Sequence, residues 1–484
     1  MDQKSNYNKK RNGYATANSL KANELTAEEE NIRKSYLRKI DARVLPVVVM
    51  LYFASSLDRG NIGTALANGL VEHLKLSPTD QGNVISLFTL CYIVFEAPAN
   101  VMLKKTKPRY WFTFIVTCWS LSTLYLAFAR TTALFIFARC LLGVFEAGFT
   151  PGIVAYLPYW YTRKELGSRM AVFFIALPIS GIIGGPIAAK LVQTQILNLE
   201  RYQGIFFVEG ILTTGIGLLA FFIMHDYPDT AKFFTPAEKG LLTREITLDQ
   251  GLASKASVSK KQTMNALLDW KIYVFSLVGF GPNNCLVLLG YFGPVVIFGM
   301  GYSRTTATYM AGIPPACGAV AMLLTIMFVN KVKLWKLYLI CIPANILGAC
   351  LAAFATKAEL RFFGLCLIGA ASSSITPVGM TWMSTNAGGV SKRMISTAIF
   401  TTITGLAGFI PPYMFTTKHA PKFLMGHIFN IVMLFLSLAS AVFLAQYFTK
   451  ENARRDANPV DVSQFSLEEL QSMNDKNPNF RYKL

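Results

Sequence analysis

Long apolar stretches separated by short polar ones dominate this chain. A helix needs about 20 mostly apolar residues to cross a bilayer, and twelve such stretches occur, six on each side of the polar segment His225–Lys271. They cover residues 44–68, 82–103, 110–129, 132–158, 170–192, 204–224, 272–299, 305–329, 336–356, 361–385, 391–416 and 424–448. The pattern predicts an all-α membrane protein with twelve transmembrane helices in two six-helix halves.

This division predicts five regions along the chain. They are an N-terminal tail (1–43), a first six-helix bundle (44–224), a central loop (225–271), a second six-helix bundle (272–448) and a C-terminal tail (449–484). The first thirty residues are polar, so we expect them to be disordered.

The charges of the short loops predict the orientation in the membrane. Loops on the side of the N-terminus hold twelve basic residues and one acid, against eight basic residues and four acids on the opposite side. Because Lys and Arg are enriched in cytoplasmic loops, we expect both termini and the central loop in the cytosol. The formal net charge of +19 is therefore mostly an orientation signal.

Composition excludes several classes of function. Hydrophobic residues make up 53% of the chain and charged residues 15%, whereas an average soluble chain carries about 25% charged residues. The basic residues lie in short groups between apolar stretches, so no nucleic-acid surface is expected. The sequence contains no HExxH, GxSxG or P-loop motif and no His/Cys cluster, which predicts neither an enzyme nor a metal or cofactor site.

Seven ionisable residues fall inside the predicted spans. An ionisable side chain in a span costs several kcal/mol and is a functional hypothesis by default. The seven are Asp58, Arg59, Glu96, Arg139, Glu146, Lys190 and Glu209. All lie in the first half, and the interiors of the later six spans offer only amides, hydroxyls and aromatic rings. Lys190 lies near a span end, where a lysine usually extends its ammonium toward water.

Guanidinium groups and carboxylates in one membrane protein predict anion binding and proton coupling. Arg59 is the natural receptor for an anionic substrate, since guanidinium binds carboxylate through two parallel hydrogen bonds. The alternative is that Asp58 or another carboxylate neutralises Arg59 permanently. Arg139 and Glu146 are seven residues apart and share one helix face, so an arginine moving relative to Glu146 would couple protonation to conformation. The alternative is a fixed ion-pair network.

Other residues complete this hypothesis. Asp58 or Glu96 would assist Glu146 in carrying the proton. The uncharged second half would hold the rest of the substrate, with Asn283, Asn284 and Tyr291 as first candidates.

Four segments carry a resemblance to a known family. They are LDRGNIGTA (57–65), RCLLGVFEAG (139–148) with PG (151–152) and YWY (159–161), FFVEG (206–210) with YPDTAKF (227–233), and NAGGVSKR (386–393). Together with the six-plus-six layout, they resemble the major facilitator superfamily and, within it, the fungal anion:cation symporters that include allantoate, nicotinate, pantothenate and biotin permeases.

The resemblance implies roles for several residues. Arg59 would contact the anionic substrate, and Arg139 and Glu146 would serve coupling and gating. Glu209, an acid within the sixth span, is our further candidate for coupling and gating. It also implies proton symport at a plasma membrane, with two halves rocking about a central cavity. The chain departs from the family pattern where Lys104 replaces an acid of the loop between the second and third spans.

The sequence thus favours a proton-coupled symporter of a small organic anion, such as a carboxylate vitamin or nitrogen source. Its expected partners are the anion, the proton and the lipid bilayer, with the protein as a monomer. An uncoupled facilitator or exchanger and a non-transporting nutrient sensor are the alternatives, and an internal membrane is the alternative location.

Overall fold

The computed structural model describes residues 26–250, 264, 267–328, 331–388, 390–458 and 473–484, and every regular element in these ranges is helical. Residues 1–25 of the predicted N-terminal tail, most of 251–266 in the central loop and 459–472 of the C-terminal tail lie outside the described residues, as does the side chain of Lys104.

The N-terminal helices are those that precede the gap at 251–263. They are α1 Ala27–Arg43, α2 Leu45–Ala65, α3 Pro78–Lys105, α4 Pro108–Leu126, α5 Thr132–Glu146, α6 Phe149–Tyr156, α7 Arg163–Phe174, α8 Ala176–Gln193, α9 Arg201–Ile223 and α10 Pro236–Gln250. A π-helical turn, Leu66–Leu70, continues α2.

The C-terminal helices follow that gap. They are α11 Trp270–Val287, α12 Gly293–Phe298, α13 Arg304–Met310, α14 Ile313–Phe328, α15 Leu334–Phe354, α16 Ala358–Asn386, α17 Val390–Gly405 and α18 Leu424–Ala457.

Eleven helical stretches of the described chain are long and apolar enough to cross a membrane. The predicted third span corresponds to α4, which is not among the eleven because Arg109 and several Trp, Tyr, Ser and Thr residues lower its mean hydropathy. α4 nevertheless packs closely on α9: a Cβ added at Gly210 would lie 2.8 Å from the backbone of Leu124.

One end of the helix bundle, which we call the tail end, carries α1, α10 and residues 473–484. The opposite, far end carries the turn after α2 and the start of α3. Side chains of the N-terminal helices bond the C-terminal helices there: Asn68 donates to Thr308 at 3.1 Å and Gln81 to Thr417 at 3.0 Å. Tyr413 donates to Asn83 at 2.9 Å. The two groups of helices are thus joined at the far end.

At the tail end, α1 is fastened to the N-terminal helices by an ion-pair network that we call the N-terminal clasp. Arg33 pairs with Glu165 at 2.8 Å, Lys39 with Glu238 at 2.7 Å, and Arg169 with Asp41 at 2.7 Å. The prediction of disorder through Glu30 is therefore wrong for residues 27–30, which form the first turn of α1, capped by Thr26.

A second network, the C-terminal clasp, holds residues 474–484 against the C-terminal helices. Asp475 lies between Lys271 at 3.0 Å and Lys392 at 2.6 Å, and both lysines also pair with Asp269. Gly388 adopts φ +80° beside it, and a Cβ there would lie 2.4 Å from the Asp475 backbone nitrogen. Gly388 and Lys392 of the segment NAGGVSKR thus contact Asp475.

The ring of Tyr482 completes this clasp by stacking on Phe448 with ring centroids 4.4 Å apart. Its hydroxyl donates to Asp475 at 2.9 Å.

Two polar side chains at the ends of predicted spans are buried. Arg361, the first residue of the predicted span 361–385, lies on α16 and donates to the carbonyl of Ala352 at 3.0 Å. His427, near the start of the predicted span 424–448, is fully buried on α18 against the ring of Phe415. Hydropathy locates such span ends without showing which neighbouring segment covers them.

Candidate functional site

The centre of the site is an ion pair between two N-terminal helices. Arg59 Nε on α2 lies 2.7 Å from Glu146 Oε1 at the end of α5, and the Glu146 side chain is 0% exposed. The hydroxyl of Ser55, one turn before Arg59, donates to the same carboxylate oxygen. The structure therefore pairs Glu146 with Arg59, and not directly with Arg139 of its own helix.

Arg59 keeps binding capacity in spite of this pair. Its guanidinium lies over the ring of Tyr92, with 4.9 Å to the ring centroid. Its Nη2 is buried and makes no hydrogen bond within the described part of the chain. The side chain as a whole is 25% exposed. Since a buried unpaired donor is costly, a ligand oxygen there would be stabilised.

Arg139 forms a second, fully buried cation next to this pair. Its Nε donates to the Val84 carbonyl at 3.2 Å, and its guanidinium lies 4.7 Å from the centroid of the Phe88 ring. Nη1 and Nη2 have no hydrogen-bond partner among the described residues. Two guanidinium groups with unused donors thus face the same region.

Asp58 and Glu209 form a second acidic group, and Asp58 interacts electrostatically with Glu146 and Arg139. Both side chains are buried, and the two carboxylates are close enough to interact electrostatically. Trp119 and Thr213 face Asp58, yet no hydrogen bond of ordinary geometry reaches either carboxylate within the described ranges. Buried, unsatisfied carboxylates of this kind have the chemistry of proton acceptors.

Tyr291 brings the C-terminal helices into the site. It lies just before α12, half-buried, where its side chain interacts electrostatically with both Arg59 and Arg139. The approach depends on Gly63, since a Cβ at that position would lie 2.4 Å from the backbone oxygen of Tyr291. Arg59 and Gly63 are one turn apart on α2, so close packing and charge occupy the same helix face.

The remaining predicted residues differ in how they are placed. Asn283 is half-buried and donates to the Thr404 carbonyl at 2.7 Å, which ties it to α17. Asn284 is fully buried, and both side-chain polar atoms lack a partner in the described chain. Glu96 is half-buried, one turn beyond Tyr92, and interacts electrostatically with Arg59. Lys190 is exposed, as expected of a lysine at a span end.

Sequence reasoning missed Ser55 and Tyr92, the polar neighbours of Arg59 and Glu146. A signal for each was present, because Ser55 lies four residues before Arg59 and Tyr92 four residues before Glu96, which places them on shared helix faces. It also missed the buried polar side chains His427, Asn430 and Asn345 of the C-terminal helices, each with an unsatisfied polar atom in the described structure.

The arrangement can therefore bind an anion and a proton in one place. Arg59 and Arg139 offer donors to an anion, Tyr291 supplies a phenol from the C-terminal helices, and Glu146 is an acid whose cationic partner is the same arginine an anion would engage. No group of His, Cys, Asp and Glu in the described residues is arranged to hold a metal ion.

This fold and sequence define a membrane transporter. The sequence profile of the Major Facilitator Superfamily matches residues 48–444, and the chain belongs to that superfamily.

Similar proteins agree with this assignment. The chain is 28% identical over 480 residues to an "Uncharacterized transporter" of Schizosaccharomyces pombe, covering 98% of this chain and 94% of that protein. It is 30% identical over 427 residues to a "Putative tartrate transporter" of Agrobacterium vitis, covering 87% of this chain and 94% of that protein.

Among solved structures, a bacterial homologue of the human lysosomal transporter Spinster has a similar fold. The TM-score is 0.65 at 15% sequence identity, with 84% of this chain and 97% of that chain covered.

Proposed function

We propose that this protein is a proton-coupled symporter of a small organic anion, of the anion:cation symporter type. The observation that carries the proposal is the Arg59–Glu146 pair at 2.7 Å, with the buried Arg59 Nη2 left without a hydrogen bond in the described chain. One arginine then serves two competing carboxylates, that of the substrate and that of Glu146.

Competition for Arg59 links the proton to the substrate. A proton that binds Glu146 neutralises its carboxylate and frees the guanidinium, which then binds the carboxylate of the substrate. When the substrate and the proton leave, Arg59 and Glu146 form their ion pair again. A charged substrate and a charged proton thus enter a low-dielectric site together, where isolated charges are strongly disfavoured.

The proposed architecture is twelve spans in two six-helix halves, a monomer in the plasma membrane with both termini cytosolic. The far end is then extracellular, and its hydrogen bonds close the site toward the outside. An intact Arg59–Glu146 pair beneath a closed far end corresponds to the state after substrate and proton have left toward the cytosol.

Two independent features support an anionic substrate. Both central cations have donors without a partner among the described residues, while the C-terminal helices provide neutral groups such as Tyr291 and Asn284. One relative is named as a putative transporter of tartrate, a carboxylate. The proposed substrate class is therefore carboxylate nutrients, including nicotinate, allantoate, pantothenate and tartrate.

Uptake by cells that lack their own carboxylate permeases tests the proposal. Labelled nicotinate, allantoate, pantothenate and tartrate are supplied in parallel, with and without a protonophore. We expect one of them to accumulate and the protonophore to abolish accumulation. Accumulation that ignores the protonophore would favour an uncoupled facilitator or exchanger, with Arg59–Glu146 as a fixed structural pair.

A further inference from the structure

A basic pocket at the tail end lies apart from the transport site. It is a cavity of about 420 Å³ where the end of α1, the start of α4 and the segment after α9 meet. Its lining includes Arg43, Arg109, His225, Asp226, Lys232 and Phe222.

The polar side of this pocket is strongly cationic. Among the described residues that line the pocket, Asp226 is the one acid, and it accepts a hydrogen bond from the backbone nitrogen of Arg109 at 3.0 Å. Burial, together with the nearby cations Arg43 and Arg109, lowers the pKa of His225, so the imidazole is neutral at pH 7. Two arginines and a lysine against one carboxylate leave an excess of positive charge that favours an anion.

Aromatic rings hold both arginines in place. The Arg43 guanidinium lies 4.8 Å from the centroid of Phe233, and that of Arg109 lies 4.3 Å from the centroid of Phe221. Such cation–π contacts limit side-chain motion while leaving guanidinium donors free. The pocket therefore loses less conformational entropy on binding than a group of mobile surface lysines.

Exposed aromatic side chains lie beside the pocket, at the end of an apolar helix. Phe222 is 74% exposed and Tyr110 55% exposed, and α9, an apolar stretch long enough to cross a membrane, ends at Ile223 where the pocket begins. Aromatic side chains at such a position are typical of the membrane–water interface. An anion here has apolar surface beside it, which matches a phospholipid and not a soluble phosphopeptide.

We propose that this pocket binds the phosphate-bearing headgroup of an anionic phospholipid, with Phe222 and Tyr110 against its acyl chains. The leaflet rests on the cytosolic orientation given under the proposed function, since the cytosolic leaflet carries the anionic lipids. Basic pockets between membrane helices on that side have the chemistry to hold such headgroups.

Native mass spectrometry of the purified full-length protein tests the site. The protein is equilibrated with mixed micelles of phosphatidylserine and phosphatidylcholine, and the bound lipids are counted. We expect selective retention of phosphatidylserine. The double variant Arg43→Gln/Lys232→Gln should bind it about thirtyfold more weakly, since each basic residue near an anionic headgroup contributes roughly fivefold.

Matched variants distinguish a specific headgroup site from a general attraction of anionic lipid by positive charge. Lys333→Gln/Lys336→Gln removes two exposed charges from the same end of the C-terminal helices and should retain wild-type binding. Arg43→Lys/Lys232→Arg keeps the charge and should retain most of it. Equal binding of phosphatidylcholine, or unchanged binding by the Arg43→Gln/Lys232→Gln variant, would overturn the proposal.

Competition with inorganic phosphate distinguishes a phospholipid headgroup from a soluble anion as the ligand of the pocket. If millimolar phosphate displaces phosphatidylserine completely, the ligand is a soluble anion and the lipid assignment is wrong. Carboxylate uptake measured in vesicles of phosphatidylcholine alone reports on the transport site independently. Uptake without lipid selectivity would reject only the lipid site, and lipid selectivity without uptake would reject only the transport function.

Discussion

The N-terminal and C-terminal helices handle buried polarity in opposite ways. In the N-terminal helices the central buried groups include charged side chains: Arg59 pairs with Glu146 at 2.7 Å, while Asp58, Arg139 and Glu209 keep polar atoms without a hydrogen-bond partner in the described structure. In the C-terminal helices the central groups are amides, hydroxyls and an imidazole, and several of them, including Asn284, Asn430 and His427, lack partners in the described structure. Under the proposed function, the N-terminal helices would recognise the charge of the substrate, and the C-terminal helices its shape and hydrogen-bonding groups.

Replacing Arg59 is the strongest way to break this division. Arg59→Ala removes the guanidinium and leaves Glu146 buried without its cation, so we expect uptake to fall roughly a hundredfold or more, corresponding to a loss of about 3 kcal/mol. Arg59→Lys keeps the charge without the two-pronged geometry and should retain partial uptake. Initial uptake rates, normalised to protein at the cell surface, measure both.

A remote arginine provides the control for these variants. Arg130 is exposed at the far end, and Arg130→Gln should transport at the wild-type rate. Wild-type uptake in Arg59→Ala would mean that substrate charge is recognised elsewhere.

Gly63→Ala tests the contact between the two groups of helices. The added methyl would lie 2.4 Å from the Tyr291 backbone oxygen, and relief requires the helices to separate at a cost of about 1–3 kcal/mol. We expect uptake to fall about tenfold, because the far-end-closed state becomes less accessible. Initial uptake rates measure this effect.

Gly60 offers a matched position one turn away. An added Cβ there meets no heavy atom of the described chain within 4 Å, so Gly60→Ala should behave as the wild type. Equal effects of the two substitutions would show that the lost backbone freedom of glycine, and not the approach of Tyr291, explains the fall in uptake.

Substitutions in the two clasps extend the comparison of N-terminal and C-terminal helices to the tail end. Asp475→Asn removes a buried carboxylate that lies between Lys271 and Lys392, and we expect about 3 kcal/mol of destabilisation. Thermal unfolding of the detergent-purified protein should begin several degrees lower. The control is Asp456→Asn, since Asp456 pairs with Arg481 at an exposed site where such a pair contributes at most about 1 kcal/mol. Identical melting curves for Asp475→Asn and Asp456→Asn would show that the C-terminal clasp does not stabilise the protein.

The smallest expected effect is a pH dependence of the N-terminal clasp. Burial opposes ionisation of Glu238, yet hydrogen bonds from Lys39 and Ser35 lower its pKa from an ordinary value near 4.5 to about 2. A depressed folded-state pKa stabilises the protein above the unfolded value, and the contribution disappears as the pH falls from about 4.5 toward 2. Between pH 5 and pH 3 the wild type should lose more thermal stability than Glu238→Gln. An equal loss of thermal stability in the wild type and in Glu238→Gln between pH 5 and pH 3 would contradict this prediction.

Hydropathy predicted most of the helical framework, because crossing a bilayer requires an apolar stretch of fixed length. The ionisable residues of the first half were equally visible, since the same requirement makes them exceptional. Partners were not visible: Arg139 and Glu146 share a helix face two turns apart, too far for direct contact, and their spacing did not show that α2 brings Arg59 to Glu146. Long-range packing decides such pairs, and a seven-residue interval on one helix carries no information about the neighbouring helix.

The two clasps were hidden for a related reason. Residues 27–43 and 474–484 are polar. Composition alone does not show that the first segment pairs with Glu238, or that the second pairs with Lys271 and Lys392. Gly388 was a usable signal in hindsight, since a glycine within NAGGVSKR is consistent with close backbone approach.

Proton movement through Glu146 tests the central claim most directly. In proteoliposomes loaded with a pH-sensitive dye, adding the transported carboxylate should drive proton entry in the wild type. Glu146→Gln should exchange labelled for unlabelled substrate without moving protons. Substrate-driven proton entry at the wild-type rate in Glu146→Gln would contradict the account, because the proton would then travel on another group.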